Sequence, residues 1–429
     1  MNFQPGIEYS SLSDVGMRRK TNQDSFSAIV APDESAWRQR GHLFLVADGM
    51  GAHAAGELAS KLASDHVPHL YRKMLEQYST PEALERAIVE TNAEVHRRGQ
   101  ANLDFYSMGT TASVLVLVPQ GAIIAQVGDS RIYRLRGSQL DQLTFDHSLV
   151  WEMRNSGQLP ADTDVSHMVP KNIITRCLGP QPTVQVDIEG PFPLEAGDTF
   201  LLCSDGLTGQ VRDEELGPIL ANLPPKEAAQ VLIDLANLRG GPDNITAIVV
   251  RVTDPSMVAN AQHEPPIRVG IDPRPKKIPL PVWIVMGVCL LGALVLLIVQ
   301  KPLAALAACI ASGLALGGGW LHKARILSGG VSLRDGRKLG RAPYVSVSCS
   351  SLHEFVLKLT SVVRALQEVA RSNQWPINWQ PFDEHCRQAE LAAKENRHAE
   401  ALRSYALAMS TMMRELRTGK APTNDSALD

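Results

Sequence analysis

Two long uncharged runs, Leu280 to Val299 and Leu303 to Leu321, constrain this chain more than any other feature. At 1.5 Å rise per residue each would span roughly 30 Å as a helix, the thickness of a bilayer's hydrocarbon core. Only Gln300-Lys301-Pro302 separates them, so both outer ends of such a hairpin emerge on the same side. Lys276 and Lys277 precede the pair and His322, Lys323 and Arg325 follow it, against Lys301 alone in the loop. The positive-inside rule then places both flanking regions in the cytoplasm, in a two-span protein of the cell membrane. Gly313 and Gly317 have the small-xxx-small spacing that lets two such helices pack closely. The competing reading is a buried hairpin of a soluble domain, which the length of both runs disfavours.

Upstream, Pro255, Pro265, Pro266, Pro273, Pro275 and Pro279 punctuate a stretch with little apolar periodicity, a semi-extended tether. The chain therefore divides into a soluble domain over 1–253, a linker over 254–279, a membrane hairpin over 280–321 and a juxtamembrane segment with a helical tail over 322–429. A formal charge of −3 gives no case for nucleic-acid binding. The six cysteines have no CxxC or zinc-type spacing, which suits a reduced, cytosolic setting. The N-terminus has no basic patch followed by an apolar stretch, so no signal peptide is expected.

Within the first domain, Leu43 to Ala47 reads as a strand, and Thr111 to Val118 and Ala122 to Val127 as two strands joined by Pro119-Gln120-Gly121. So short a loop joins only antiparallel strands, and Arg131 to Leu135 extends the meander. Two helical stretches, "GELASKLASDHVPHLYRKML" and "PEALERAIVETNAEVHRR", lie between the first strand and the meander. Consecutive helices between strands argue for an α+β fold with antiparallel sheet rather than a βαβ repeat.

Acidic residues recur at the strand ends: Asp24 in "RRKTNQDSF", Asp48 in "VADGMG", Asp129 in "VGDSRIY", Asp205 in "CSDGL" and Asp243 in "GGPDNITAIVV". Each alone reads as a turn residue. Together, carboxylates converging on one buried place would repel unless cations neutralise them. Carboxylates with few histidines favour hard ions such as Mg²⁺ or Mn²⁺. Two such ions can hold a water, lower its pKa and aim it at phosphorus. Arg18 or Arg19 could supply a bidentate grip on the phosphate.

The order "SDVGMRRKTNQDSF", "LVADGMGAHAAGE", "MGTTASVLV", "AQVGDSRIYRLR", "LTFDHSLV", "ITRCLG", "LLCSDGL", "GPDNITAIVV" resembles the metal-dependent (type 2C) Ser/Thr protein phosphatase family in its bacterial form, over about residues 8–252. The resemblance implies an αββα sandwich, two antiparallel sheets flanked by helices, with the metals at one end of the sheets. It places Asp48 where an aspartate bridges two metals, and Gly49 where a backbone carbonyl ligates one. Asp205 and Asp243 match metal-binding aspartates. Asp129 matches a residue of a more weakly held third metal, so two or three Mn²⁺ or Mg²⁺ ions are implied. Arg19 aligns with the phosphate-binding arginine, and Gln23, Asp24 and Asn244 fall in supporting positions. The implied activity is hydrolysis of phosphoserine and phosphothreonine in cytoplasmic proteins, by water activated at a dinuclear site and opposite a Ser/Thr kinase system in signal transduction. A catalytically weak phospho-sensor or membrane scaffold that recruits a signalling partner is the alternative.

Two departures from the family pattern stand out. Gln23 occupies the place of the glutamate in the family's "NED", where a neutral amide would weaken the second metal. Met50 stands where eukaryotic members have a histidine, and nearby His53 reads as a helix-start residue. "DTDVS", Asp162 to Ser166, imitates an aspartyl-phosphate motif without the strand that should precede it; Leu149 to Lys171 matches the family's variable flap. In the tail, Leu352, Phe355, Val356, Leu359, Val362, Val363, Leu366 and Val369 share one helical face. "AELAAKENRHAEALRSYALAM" resembles a single tetratricopeptide-type helix pair, with Ala399, Leu402, Tyr405 and Ala408 at packing positions; an ordinary small helical bundle, or a surface for a protein partner, fits as well. Arg334, Arg337, Lys338 and Arg341 form a basic stretch that could touch anionic lipid or be a solvated loop.

Overall fold

The computed structural model describes residues 6–52, 54–159, 173–254, 267–269, 280–304, 306–307, 310, 312, 331–333, 339–349, 351–375 and 377–418. The chain falls into two compact units. The larger comprises residues 1–76, 83–265 and 338–429, and the smaller residues 77–82 and 266–337.

Along the chain run β1 (Ile7–Asp14), β2 (Asp24–Ile29), α1 (Glu34–Arg40), β3 (His42–Met50), α2 (Ala55–Met74), α3 (Thr80–Ala101), β4 (Gly109–Thr110), β5 (Ala112–Val118), β6 (Gly121–Val127), β7 (Arg131–Arg136), β8 (Gln139–Gln142) and α4 (Leu149–Asn155). Then come β9 (Asp187–Phe192), β10 (Thr199–Cys203), α5 (Asp205–Thr208), α6 (Asp213–Asn222), α7 (Pro225–Leu238), β11 (Ile245–Val252) and β12 (Arg268–Val269). The remainder holds α8 (Leu280–Ile298), β13 (Val331–Ser332), β14 (Val345–Ser348), α9 (Leu352–Ser372), α10 (Trp379–Lys394) and α11 (His398–Thr418).

In the larger unit one sheet has the order β1-β11-β10-β7-β8-β14 and a second β2-β3-β5-β6-β9, with β4 beside β3. Every neighbouring pair is antiparallel. Strand β10 explains the layering. Phe200 and Leu202 join Phe44, Val46, Leu115 and Ile124 in the core between the sheets. Leu201 and Cys203 point the other way, into a core with Leu216, Leu220 and Leu232 of α6 and α7. Alternate residues buried on both faces are what make "TFLLC" a continuous apolar run. Helix α2 packs on β2 and β3 at the opposite face. This is the expected αββα sandwich, with the loops that carry the acids at one end.

The tail does not stand apart from this core, as a division at residue 253 had suggested. Strand β14 extends the first sheet beyond β8, pairing Val345 with Gln142 and Ser348 with Gln139. Phe355, Val356, Leu359 and Val363 of α9 and Leu402, Tyr405 and Met409 of α11 share one buried cluster with Leu216 and Leu232. Arg403 pairs with Glu227, Ser410 donates to Asp234 at 2.5 Å, and Arg417 donates to Asp14 at 2.5 Å. Of the expected packing positions, Leu402, Tyr405 and Ala408 are buried, whereas Ala399 and Val369 are exposed.

In the smaller unit, β12 and β13 form an antiparallel pair, and α8 covers most of the first uncharged run. Among the described residues no helix is long and apolar enough to cross a membrane. The membrane hairpin is therefore not established: of the second run, Leu303 to Leu321, only 303–304, 306–307, 310 and 312 are described. The linker prolines, His53, the "DTDVS" motif, and Arg334, Arg337 and Lys338 of the basic stretch lie outside the described residues.

Candidate active site

Strands β2, β3, β10 and β11 deliver the acids to one end of the two sheets. Asp24 and Asp48 lie directly opposite one another in the β2–β3 register. Asp48 is fixed through its backbone: its N–H donates to Thr111 Oγ1 at 2.9 Å, and its carbonyl accepts from the Thr111 N–H at 2.9 Å. Asp205 starts α5 just after β10, close enough to Asp48 for its charge to raise the Asp48 carboxyl. The two Asp-Gly tips thus meet, although they lie far apart in sequence.

Asp24 stitches the two sheets together. Its Oδ2 accepts from Ser204 Oγ at 2.8 Å and from Thr246 Oγ1 at 2.7 Å, both on the opposite sheet's strand ends. Asp24 Oδ1 and Asp129 Oδ1 are buried and have no hydrogen-bond partner. Burial pushes the Asp24 carboxyl up to about 7, against the two hydroxyls and with the help of Asp205 and Asp243. Burial, then the Asp205 and Asp146 charges, likewise raise Asp129 to about 7. Asp48 lies well above the carboxylate range, through burial and then Asp24, Asp205, Asp129 and Asp243. Asp205 is raised by burial and Asp243. So many mutually repelling buried carboxylates, some with unpartnered oxygens, suit hard divalent cations. Among the described residues no group of three or more His, Cys, Asp or Glu side chains is placed to hold a metal ion as the side chains stand.

The loop between β1 and β2 carries Arg19, whose Nη2 donates to Asp243 Oδ2 at 2.8 Å. Asn244 holds this loop by three bonds: Oδ1 accepts from the Gln23 N–H at 2.8 Å, and Nδ2 donates to the Val15 and Thr21 carbonyls at 2.9 Å each. The approach is too close for any side chain at Gly16, where φ is +81° and a Cβ would sit 2.1 Å from the Asp243 carbonyl oxygen. Gly49 is similarly enclosed, a Cβ there meeting the Gly56 carbonyl oxygen at 2.1 Å. Gln23 lies beside these glycines, its carbonyl accepting from the Gly49 N–H at 3.1 Å.

A cleft of about 560 Å³ opens over the acids, with Arg19, Asp129, Asp205 and Asp243 in its wall. Arg131, Asp146, Trp151 and Arg154 also line it, and none of these had been singled out from sequence. Arg131 and Asp146 sit inside the "GDSR" and "FDHS" motifs, which was the available signal. Arg131 donates to Asp146 at 2.8 Å and to Tyr133 Oη at 3.0 Å, and Tyr133 donates to Asp213 at 2.9 Å. Burial opposes the Arg131 charge, but Asp146 and its neighbours keep it protonated. His147 takes the Gly128 N–H on Nδ1 at 2.9 Å and reaches Asp187 through Nε2 at 2.9 Å, which steadies the turn bearing Asp129. Trp151 and Arg154 belong to α4, the described start of the flap.

A protein phosphatase 2C family model matches residues 18–230. Protein phosphatase PhpP of Streptococcus pneumoniae is 36% identical over 251 residues, which cover 58% of this chain and 98% of that relative. The chain belongs to the protein phosphatase 2C family. Among solved structures, the Mycobacterium tuberculosis serine/threonine phosphatase PstP/Ppp is 31% identical with a TM-score of 0.50, covering 58% of this chain and 99% of that one. The Streptococcus agalactiae serine/threonine phosphatase is 35% identical with a TM-score of 0.51, covering 57% of this chain and 99% of that one. The PhpP sequence and both solved chains are matched almost end to end within 57–58% of this chain.

Proposed function

We propose that this chain is a metal-dependent phosphatase of phosphoserine and phosphothreonine in proteins, with its chemistry at the acid cluster under the cleft. The convergence of Asp24, Asp48, Asp205 and Asp243, which repel one another while hydroxyl donors steady Asp24 and the Arg19 guanidinium pairs with Asp243, is the observation that carries this reading. Asp48, the Gly49 carbonyl, Asp205 and Asp243 would hold two Mn²⁺ or Mg²⁺ ions, and Asp129 a weaker third. When bound, such ions neutralise the acids, lower the pKa of water and polarise the phosphoryl oxygens.

The protein's own groups do the rest. Arg19 binds the phosphoryl oxygens with N–H groups beyond the one it gives to Asp243. Asn244 positions Arg19 by clamping the loop at Val15, Thr21 and Gln23. Asp24, Ser204 and Thr246 keep the two sheet ends at fixed separation, so that Asp48 and Asp205 face one substrate. Arg131 and Arg154 add positive charge to a cleft that must accept a phosphate dianion. The leaving alkoxide takes its proton from solvent, since Met50 stands where a histidine could have served.

The uncharged runs from Leu280 to Leu321 support a further proposal, that the enzyme is held at the cytoplasmic face of the cell membrane, opposite a Ser/Thr kinase system. Phosphate release from a phosphothreonine peptide, measured with Mn²⁺, Mg²⁺ or EDTA, tests the catalytic reading. Metal-dependent turnover falling more than about a hundredfold in Asp205→Asn is expected; a folded wild-type protein without turnover under either metal would overturn it. Alkali-resistant sedimentation with membranes tests the anchor separately.

A further inference from the structure

A second cavity, of about 620 Å³, lies between the tail and the catalytic core. Gln210 lines both this cavity and the active-site cleft, so the two are neighbours with Gln210 between them. One wall is the turn from Gln210 to Glu215 that follows α5; the other is α9, through Phe355, Lys358 and Val362. The 2C-type relatives matched above, covered at 98–99% of their own length, account for only 57–58% of this chain. The α9 wall therefore belongs to this chain's extra segment and not to the shared catalytic domain.

The charge in this groove is unequally satisfied. Glu215 accepts from Arg239 through both its oxygens at 2.7 Å, so that pair is closed. Among the described residues, Arg212 and Lys358 line the groove as exposed cations with no ion pair at salt-bridge distance, although the Arg212 charge reaches Glu215 and helps lower its pKa, and Glu214 is an exposed carboxylate beside them. Half-buried Val362 gives the groove some apolar surface, with Phe355 buried beneath it. From Asp205 to Arg212 the backbone covers at most about 25 Å even if fully extended, and part of it is helical. A bound peptide in extended form would cover that distance in about seven residues.

We propose that the tail builds a substrate subsite, in which acidic side chains within about seven positions of the phosphorylated residue bind Arg212 and Lys358. The subsite rests on the phosphatase reading for its role and on the groove for its chemistry. It makes α9 a specificity element, selecting phosphosites in acidic sequence context.

The test uses the full chain with Mn²⁺ and three phosphothreonine peptides, flanked by acidic, neutral or basic residues. The kcat/KM for the acidic peptide should exceed that for the neutral one by about tenfold. In the double variant Arg212→Glu, Lys358→Glu that ratio should fall to about one, and the basic peptide should become the preferred substrate. A loss of structure alone would lower all three peptides together without inverting their order. Equal kcat/KM for the acidic and neutral wild-type reactions, or an unchanged order in the variant, would overturn the subsite. Anisotropy of a labelled acidic peptide on the wild-type and variant proteins reads the groove even without turnover: absent turnover with charge-dependent binding would sink the phosphatase reading alone, and equal binding would sink the subsite.

Discussion

Replacing Asp24 with asparagine should stabilise the metal-free fold by an amount that grows with pH. The carboxyl is buried, takes two hydroxyl hydrogen bonds on Oδ2, and leaves Oδ1 with none. Burial and the Asp205 and Asp243 charges bring its pKa to about 7, whereas in the unfolded chain it would titrate near about 3.9. Between those values the fold keeps a proton that the unfolded chain has released. Folding then takes up a proton, and stability falls as pH rises through the window. A gap of about three units makes the full cost a few kcal/mol above about pH 7, with roughly a third of it already present at about pH 5. Asparagine keeps an acceptor for Ser204 and Thr246 and has no charge to bury. Its advantage over the wild type should therefore grow by about 2–3 kcal/mol between about pH 5 and about pH 8. Urea unfolding of both proteins in EDTA at the two pH values measures this directly. The same difference at both would refute the reasoning. Manganese should narrow the gap at the higher pH, because divalent charge beside Asp24 favours its ionised form.

Gly49→Ala should destabilise the fold by about 1–3 kcal/mol, because the new methyl would meet the Gly56 and Gln23 carbonyl oxygens at 2.1 and 2.5 Å; urea unfolding in EDTA separates this from any loss of metal. Phe355→Ala removes a buried ring from the cluster shared by tail and catalytic core. A loss of about 3–5 kcal/mol is expected, with limited proteolysis cutting first around α9; an unchanged digestion pattern would contradict the joint core. Arg417→Ala should cost about 0.5–1 kcal/mol at neutral pH. Burial alone would raise the Asp14 carboxyl, but Arg417, the Gly16 N–H and Asn237 outweigh it and hold it below its usual value. The contribution of that depressed acid is present above about pH 4 and is lost as pH falls through its folded value, so unfolding curves of wild type and variant should converge in acid.

Much of the candidate site could be read before any fold was known. Asp48 and Asp205 sit beside a glycine at the tip of an apolar strand and Asp243 in a glycine-rich turn before one, and turn chemistry of that kind is local. The strands from His42, Ala112, Gly121 and Arg131 and the helices from Ala55 and Leu352 also follow from periodicity, which needs only neighbouring residues. Ser204 and Thr246 carried no such signal. They matter because β10 and β11 lie side by side and end opposite Asp24, a residue some two hundred positions away in the chain.

The same contrast holds for the tail. Its sequence determined an amphipathic α9 and a following helix pair, because a repeating apolar face is written in the order of the residues. Which surface that face would cover was not written there. An apolar stripe is satisfied by any complementary partner: another tail helix, a second protein or the catalytic core. Only the tertiary structure selected the core, since it alone brings Leu216 and Leu232 against Phe355 and Tyr405 and leaves β8 an open edge for β14 to pair. Local order determines what each segment can bury, and complementarity between distant segments decides against what.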